Sequence, residues 1–481
     1  MRLKKILENV EIVKIINNKN INIKSITHIS SDVIKDSMFI CLKGENFDGN
    51  NYALEVVKNG AKCIVTENEN IDTLNAVIVV VKDVRKAMSL IAKNYYYKCV
   101  DDMEVCCIVG TSGKTTTSHM LMQLLSKIDN NVGVIGTNGI YIGNIFQDNK
   151  FTTPDPLELH YIFYQMKMLG VKRVIMEVSA QAIYYQKITG IKFKYGVFTN
   201  ISAEHLDFFK SMEDYVRCKM SFFKSENMKE CVINIDDFYG MELAYKSNIP
   251  CVSVGIKNPA NSFAVDIKSS LNGSIFTANI LDEIYSVDCS FVGEFNIYNL
   301  LTAMTVAKMW GVSQEQITNV IKNMKAIPGR FNVYHKGDNL IAIDFAHTSD
   351  SIDKILHFVR CNTDAKIITL FGCVGYSDLE KRIAIAKSVD RSSDYLVITT
   401  DNRGDVSFDE IACDIEKGIF KCDYVKIEDR ESAIKYAIDN LKNDDVLLIL
   451  GKGAENFQKI NGERIKYSDI EVVERYLKEK L

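Results

Sequence analysis

Short apolar runs, each ending in polar or small residues, alternate along this chain with stretches of helical spacing. "VCCIVG", "NVGVIGT", "RVIMEVS", "YGVFTNI" and "ECVINID" are such runs between residues 103 and 236. Runs that are apolar throughout suit parallel strands covered on both faces, because a one-sided strand would alternate. Met120, Leu121, Leu124, Leu125 and Ile128 recur on one helical face, which predicts a helix after the first run. Around 263–292 the texture changes to alternating strands about an "LNGS" turn, an antiparallel excursion, and the helix-like "IYNLLTAMTVAKMWG" closes the region. "IPGRF" at 327–331 interrupts both periods with Pro328 and Gly329 and reads as a hinge. Beyond it "LIAIDFAH", "KIITLFGC", "DYLVITTDN", "DYVKIED" and "DVLLILGKG" alternate with helical stretches, a second doubly wound α/β unit. Upstream, "SMFICLKG" and "AKCIVTE" are strands joined by the helical "ALEVVKNG". Three units follow: 1–101, 102–328 and 329–481.

Length and composition narrow the class. A chain of 481 residues suits two to four domains, and 47% apolar with 25% charged residues supports ordinary cores. A formal net charge of −4, with no Lys/Arg stripe, leaves no electrostatic footprint for nucleic acid. The thirteen cysteines are scattered without a CxxC pair, which favours reduced thiols over a disulfide framework. The opening "MRLKKILENVEIVKI" is broken by Glu8, Asn9 and Glu11, so it is neither a secretory signal nor a membrane span. The expectation is a soluble, cytoplasmic protein.

The candidate chemistry starts at "GTSGKTTT". Gly110, Thr111, Ser112 and Gly113 are small enough for backbone N–H groups to approach phosphate oxygens, and the following helix contributes its positive dipole end. Lys114 would reach the terminal phosphates, and Thr115 would offer a hydroxyl to Mg2+. The loop is a shortened P-loop, Gly110-x-x-Gly113-Lys114-Thr115; the bland alternative is a helix start with a threonine cap. Glu177 ends a predicted strand, where open α/β sheets place their ligand chemistry. Taken alone, it is equally a solvated strand end, and a lone histidine such as His205 in "FTNISAEHLD" is more often structural than functional.

With these residues in place the sequence resembles the Mur ligases, ATP-dependent amide-forming enzymes of peptidoglycan assembly. "GTSGKTTT", "TTPD", "MEVS", "NIDD", "FNIYN", "PGR", "DFAHT", "FGC" and "GKG-E" occur in the family's order over essentially the whole chain. The branch it most resembles adds the third peptide residue to UDP-N-acetylmuramoyl-L-alanyl-D-glutamate, using meso-diaminopimelate or another diamino acid. The resemblance implies an α/β, three-domain architecture: an N-terminal UDP-substrate domain, a central P-loop ATPase domain and a C-terminal Rossmann-like domain for the amino acid. It implies ATP on Gly113, Lys114, Thr115 and Thr116, with Asn296 and Asn299 near the adenine, Arg330 near the phosphates and Asp344 near the ribose. Thr115 and Glu177 would hold one Mg2+, and His205 a second. Lys219 matches the lysine that the family carbamylates; read without the family it is a solvated helix lysine. The chain is expected to act as a monomer on a UDP-sugar peptide and an amino acid, without nucleic acid or membrane insertion.

The ATP elements match the family better than the substrate pockets do. Ser30 keeps the uridine-contacting position, but Ser31 replaces the usual arginine. Phe151 precedes Thr152 and Thr153 where asparagine is usual, and Ser179 is followed by Ala180 and Gln181. Tyr185 and Lys187 stand for the family's glutamine and arginine, and a lysine cannot reproduce a bidentate contact. In the amino-acid pocket "DNRGD" replaces "DNPR", so Asp401 and Asn402 match while Arg403 falls one place early and Gly404 takes the arginine's position. "GKGAE" keeps Gly451 and Glu455 without the histidine, and Arg382 remains as a clamp for the α-carboxylate. These changes fit either drift within the family or a paralogue joining a different acid and amine. A folate-polyglutamylating or cyanophycin-type ligase, a non-catalytic nucleotide binder and a generic P-loop kinase are the other readings.

Overall fold

The computed structural model describes residues 1–44, 47–71, 75–224 and 226–479. Three large sheets, formed one after another along the chain, and a two-stranded hairpin, Phe457–Ile460 with Glu463–Lys466, organise them. The first has five strands, with Ser25–Thr27, Ser37–Ile40, Ala61–Thr66 and Val77–Val81 parallel and Ile12–Ile16 an antiparallel edge. The second has eleven strands. Its parallel core contains the five runs read from the sequence, and Glu104–Val109 lies in the middle between Phe193–Phe198 and Arg173–Val178. These strands are buried along nearly their whole length, which is why their sequences do not alternate.

Both ends of the central sheet turn antiparallel. Ser262–Ser270, Gly273–Ile280 and Glu283–Cys289 form the excursion expected from the sequence. At the other end "NVGVIGT" yields the strand Gly133–Gly136 and continues into two short antiparallel strands, Gly139–Ile142 and Ile145–Gln147, which the sequence reading missed. Ile140 and Ile142 are buried, but Ile145 and Phe146 are exposed, so no buried face marks the last strand.

The third sheet has six strands, five parallel and one antiparallel edge, Asn332–Lys336. Val292 belongs to the core of this third unit, and Phe295 packs against it and meets Phe358 at 6.4 Å between ring centroids. The second and third units therefore share an apolar seam beside the hinge. At the hinge Gly329 has φ +69, and a Cβ there would stand 2.0 Å from Ala454 N, so only glycine fits. All thirteen cysteines are free thiols. Among the described residues no helix is long and apolar enough to cross a membrane.

Candidate active site

The carboxyl ends of three adjacent central strands meet at the predicted loop. Glu104–Val109 runs into Gly110, and the helix Lys114–Leu125 begins four residues later. Asn200, just past the Phe193–Phe198 strand, fixes the loop: its backbone carbonyl accepts from Thr111 N at 2.8 Å and its side-chain oxygen from Ser112 N at 2.9 Å. Gly113 has φ +86, and a Cβ there would lie 2.3 Å from Asn299 Oδ1. The first intrahelical donor is Thr117 N, bonded to Gly113 O at 2.9 Å. The N–H groups of Lys114, Thr115 and Thr116 precede it, as the open donors of a helix start do. Lys114 Nζ arches back to Gly110 O at 2.9 Å and Thr111 O at 2.8 Å. Burial pulls its ammonium below the ordinary lysine pKa, and the charges of Glu204 and Glu177 offset part of that.

Glu177 is fully buried, which rules out the solvated strand end. It accepts from Thr115 Oγ1 at 2.9 Å, Thr137 N at 3.2 Å and Thr137 Oγ1 at 3.1 Å. Thr137 also meets Thr152 at 2.9 Å, while Thr153 Oγ1 bridges Glu177 O and Ser179 N at 3.0 Å each. The Thr152–Thr153 turn and the Ser179 helix cap are thus built onto the same carboxylate strand.

Lys219 is not a solvated helix lysine. It is 1% exposed, on the inner face of the helix Met212–Phe222. Its Nζ donates to Thr111 Oγ1 at 3.3 Å and to the Tyr215 hydroxyl, and Tyr215 and Thr111 meet at 2.9 Å. Burial, then the Lys114 charge, push its amine well below the ordinary value. His205, at φ +57, lies beside Glu204, with Nε2 to Oε2 at 3.7 Å. Burial lowers its pKa against the pull of Glu204.

Among the described residues no three His, Cys, Asp or Glu side chains converge as a ready metal cage. The Thr115 hydroxyl and Glu177 carboxylate are hard oxygen donors in contact with one another, the sparse set that Mg2+ takes when phosphates and water complete its shell. The residues fit that ion.

On the helix Glu294–Met309, Asn299 Nδ2 donates to Asn296 Oδ1 at 3.2 Å, and Thr117 Oγ1 to Asn299 Oδ1 at 3.3 Å, so both asparagines line the loop helix. Arg330 stacks on Phe345 at 4.6 Å, and its buried Nε has no partner among the described residues. Asp344 accepts from Phe331 N at 2.8 Å and Ala346 N at 2.7 Å, which pins the strand after the hinge.

The substrate positions form two further groups. Ser30 opens a 3-10 turn, Ser30–Asp32. Burial lowers the pKa of nearby His28, and the charges of Asp155, Asp32 and Lys187 also reach it. Lys187 itself is paired with Asp155 at 2.7 Å and lies over the Phe151 ring at 5.0 Å. In the third unit Lys452, fully buried and not anticipated, bonds Glu455 at 2.8 Å and Asn402 at 3.2 Å, and lies 3.5 Å from Asp401. Gly451 packs against Asp401: a Cβ there would be 2.9 Å from Oδ2. Arg382 is held by Asp414 and Gly375 O at 2.8 and 2.7 Å, and Arg403 NH1 by Val406 O at 2.9 Å. With Lys452, the site residues that sequence reasoning missed are Glu204, His347, Tyr215, Thr137 and Asn200.

Family models match along the chain: "Mur ligase family, catalytic domain" at 22–96, "Mur ligase middle domain" at 108–307 and "Mur ligase, glutamate ligase domain" at 329–453. UDP-N-acetylmuramoyl-L-alanyl-D-glutamate--2,6-diaminopimelate ligase of Caldanaerobacter subterraneus subsp. tengcongensis is 36% identical over 482 residues, covering 100% of this chain and 99% of its own. The chain belongs to the Mur ligase family. The same fold is seen in a solved structure of a ligase of that name, with TM-score 0.70, 24% identity and coverage of 100% of this chain and 99% of that one. It is also seen in MurF ligase from Thermotoga maritima in complex with ADP, with TM-score 0.65, 20% identity and coverage of 95% and 99%. As a Mur ligase this chain is an acid–amino-acid ligase of the ATP-dependent type.

Proposed function

We propose that this Mur ligase is of the MurE type. It activates the D-glutamyl carboxylate of UDP-N-acetylmuramoyl-L-alanyl-D-glutamate as an acyl phosphate and couples it to meso-diaminopimelate or another diamino acid. The observation that carries the reading is the continuous buried chain from Glu177 through Thr115 and the loop to Thr111, Tyr215 and Lys219. A carboxylate is a poor electrophile because its charge is delocalised and it has no leaving group; phosphorylation supplies one. Phosphoryl transfer is mostly positioning and charge neutralisation. Lys114 and the open N–H groups of the loop helix bind and orient the ATP phosphates, and Arg330 reaches them from across the hinge. Asn296 and Asn299 line the base, and Asp344 faces the ribose. Thr115 and Glu177 would hold one Mg2+ and His205 a second; bound there, the ions neutralise phosphate charge.

A buried amine with depressed proton affinity is a nucleophile toward carbon dioxide. Lys219 as its carbamate would present anionic oxygens to the second ion, where an ammonium would repel it. Ser30, Thr152, Thr153, Ser179 and Lys187 bind the UDP-sugar peptide. Arg382, Asp401, Asn402, Arg403, Gly451 and Glu455 receive the amino acid. We place the domain limits at 101/102 and 328/329, and the enzyme in the cytoplasm as a monomer.

The test is ADP release with the UDP-muramoyl dipeptide and, separately, meso-diaminopimelate, L-lysine and L-ornithine. Turnover with one amine identifies it. With 18O in the acceptor carboxylate, label must appear in the released phosphate; its absence rejects the acyl phosphate.

A further inference from the structure

The apolar seam beside Phe295 and Phe358 brings the second and third units together. One polar contact at the site also joins them. Glu204, in the loop after the Phe193–Phe198 strand, has a side chain only 10% exposed. Its Oε2 faces His205 Nε2 at 3.7 Å, and its Oε1 faces His347 Nε2, from the third unit, at 3.4 Å. The other imidazole nitrogen of His347 meets Phe345 O at 2.9 Å, so the ring is held at both ends. The Phe345 ring packs on His347 at 4.7 Å between centroids and carries the Arg330 guanidinium. Burial works against the charge of Glu204. The neighbouring His347, His205 and Lys114 overcome it and hold the carboxyl well below its usual range.

Resting on the proposed binding of ATP between these two units, we infer that Glu204 is a positioning residue. With His347 it forms a latch that registers the hinge arginine, Arg330, against the nucleotide loop when the units close. Asn456 to Asp148 at 3.3 Å also bridges the two units, but it does not touch the charged site residues. The latch holds one carboxylate between a histidine on each side, so breaking either half releases the same element.

The test uses the full chain and small-angle X-ray scattering as the β,γ-methylene analogue of ATP is titrated with Mg2+. Neither acid nor amine is present, so closure is read apart from ligation. Glu204→Ala and His347→Ala are each expected to raise the analogue concentration at half-compaction about tenfold, within the usual range of coupling between sites. The double variant is expected to shift it no further than the worse single variant. Glu204→Gln and His347→Gln, which keep shape and hydrogen bonding, guard against loss of folding and are expected to recover part of the shift. An unchanged midpoint in the single variants overturns the latch. So do multiplying shifts in the double variant, and so does a wild-type chain that does not compact. Compaction with the expected coupling but no turnover with the UDP-muramoyl dipeptide and any of the amines would reject the MurE-type reading and leave the latch standing.

Discussion

Lys219→Met should move stability and activity in opposite directions. The Lys219 amine is buried against two neutral oxygens and lies 4.3 Å from the Tyr215 ring centroid. Taking an ammonium out of water costs several kcal/mol even after relaxation. Two hydrogen bonds to neutral groups return about 1 kcal/mol each, and a desolvated ring contact about 2 kcal/mol. The folded state bears the remainder, as buried charge or as the cost of giving up the proton. Methionine keeps the length without the charge. Thr111 and Tyr215 remain bonded to each other at 2.9 Å, so neither is orphaned. Apolar replacement of buried ionic groups often gains about 1–4 kcal/mol. Since two hydrogen bonds are lost here, about 1–2 kcal/mol is expected, a rise of a few degrees at about 2–4 °C per kcal/mol for a unit of this size.

The pH dependence has a definite sign. The folded pKa of Lys219 is depressed, so below the free lysine value of about 10.4 the unfolded chain binds a proton that the folded chain resists. The wild-type penalty is absent near that value, grows as pH falls, and levels off once the folded pKa is passed. The advantage of Lys219→Met should therefore widen from pH 10 downward in thermal unfolding without nucleotide or metal in carbonate-free buffer. Bicarbonate should raise the wild-type melting temperature, because the carbamate replaces the ammonium, and leave the variant unmoved. Ligase turnover should fall by roughly 100-fold or more, the scale of losing one preorganised charged group. A variant with full turnover refutes the carbamate role; a lower melting temperature independent of pH refutes the desolvation argument.

Gly113→Ala must adopt a left-handed conformation, at about 1–2 kcal/mol, and displace Asn299. Its KM for ATP should rise about tenfold as a coupling of that size implies, measured by ADP release. Glu177→Gln can turn its amide toward the rotatable hydroxyls of Thr115 and Thr137. Its stability should change by less than about 1 kcal/mol, as for an exchange of neutral hydrogen bonds, while the Mg2+ concentration needed for half-maximal rate rises. Asp414→Asn keeps an acceptor for Arg382 but removes the charge that neutralises it. The KM for the amino acid should fall about two- to fivefold, the scale of a partly exposed ion pair, with the KM for ATP unchanged; a rise would show Arg382 to be a strut.

The nucleotide loop was legible because strand, turn and helix are contiguous, so Gly113, Lys114 and Thr115 need no distant information to be placed. Glu177 was legible as a strand end but not as a buried acceptor, since its donors on Thr115 and Thr137 lie 62 and 40 positions away. Lys219 shows the limit of periodicity: spacing puts it four residues after Tyr215 on one helix face, and only the fold shows that this face meets Thr111. Glu204 and His347 come from different units, and no local pattern joins them. The motif order offers Arg382 as a clamp for an α-carboxylate and Arg403 as a pocket arginine one place early, but a sequence does not reveal that Asp414 and Val406 O already hold them.

The two ends of the site handle charge in different ways, and this bears on what each end can bind. Around the proposed nucleotide loop, the lysine and arginine cations are kept apart from the carboxylates. Lys114 is bonded to carbonyl oxygens, Arg330 has an unmatched buried nitrogen, Glu177 is surrounded by hydroxyl and amide donors, and Glu204 is held by imidazoles. Such separation costs stability in the free protein, and phosphates and Mg2+ would complete the missing pairs. The binding energy of ATP is therefore available to draw the two units together. In the third unit opposite charges already touch: Lys452 with Glu455, and Arg382 with Asp414, both at 2.8 Å. If the amino acid binds in the pocket proposed here, it has to exchange with those partners instead of filling an unmatched field, and its recognition would then depend on geometry at the Arg382–Asp414 and Lys452–Glu455 pairs. On this proposal the phosphate end would be set by a motif that a sequence displays, and the amine end by pairings that only the fold displays.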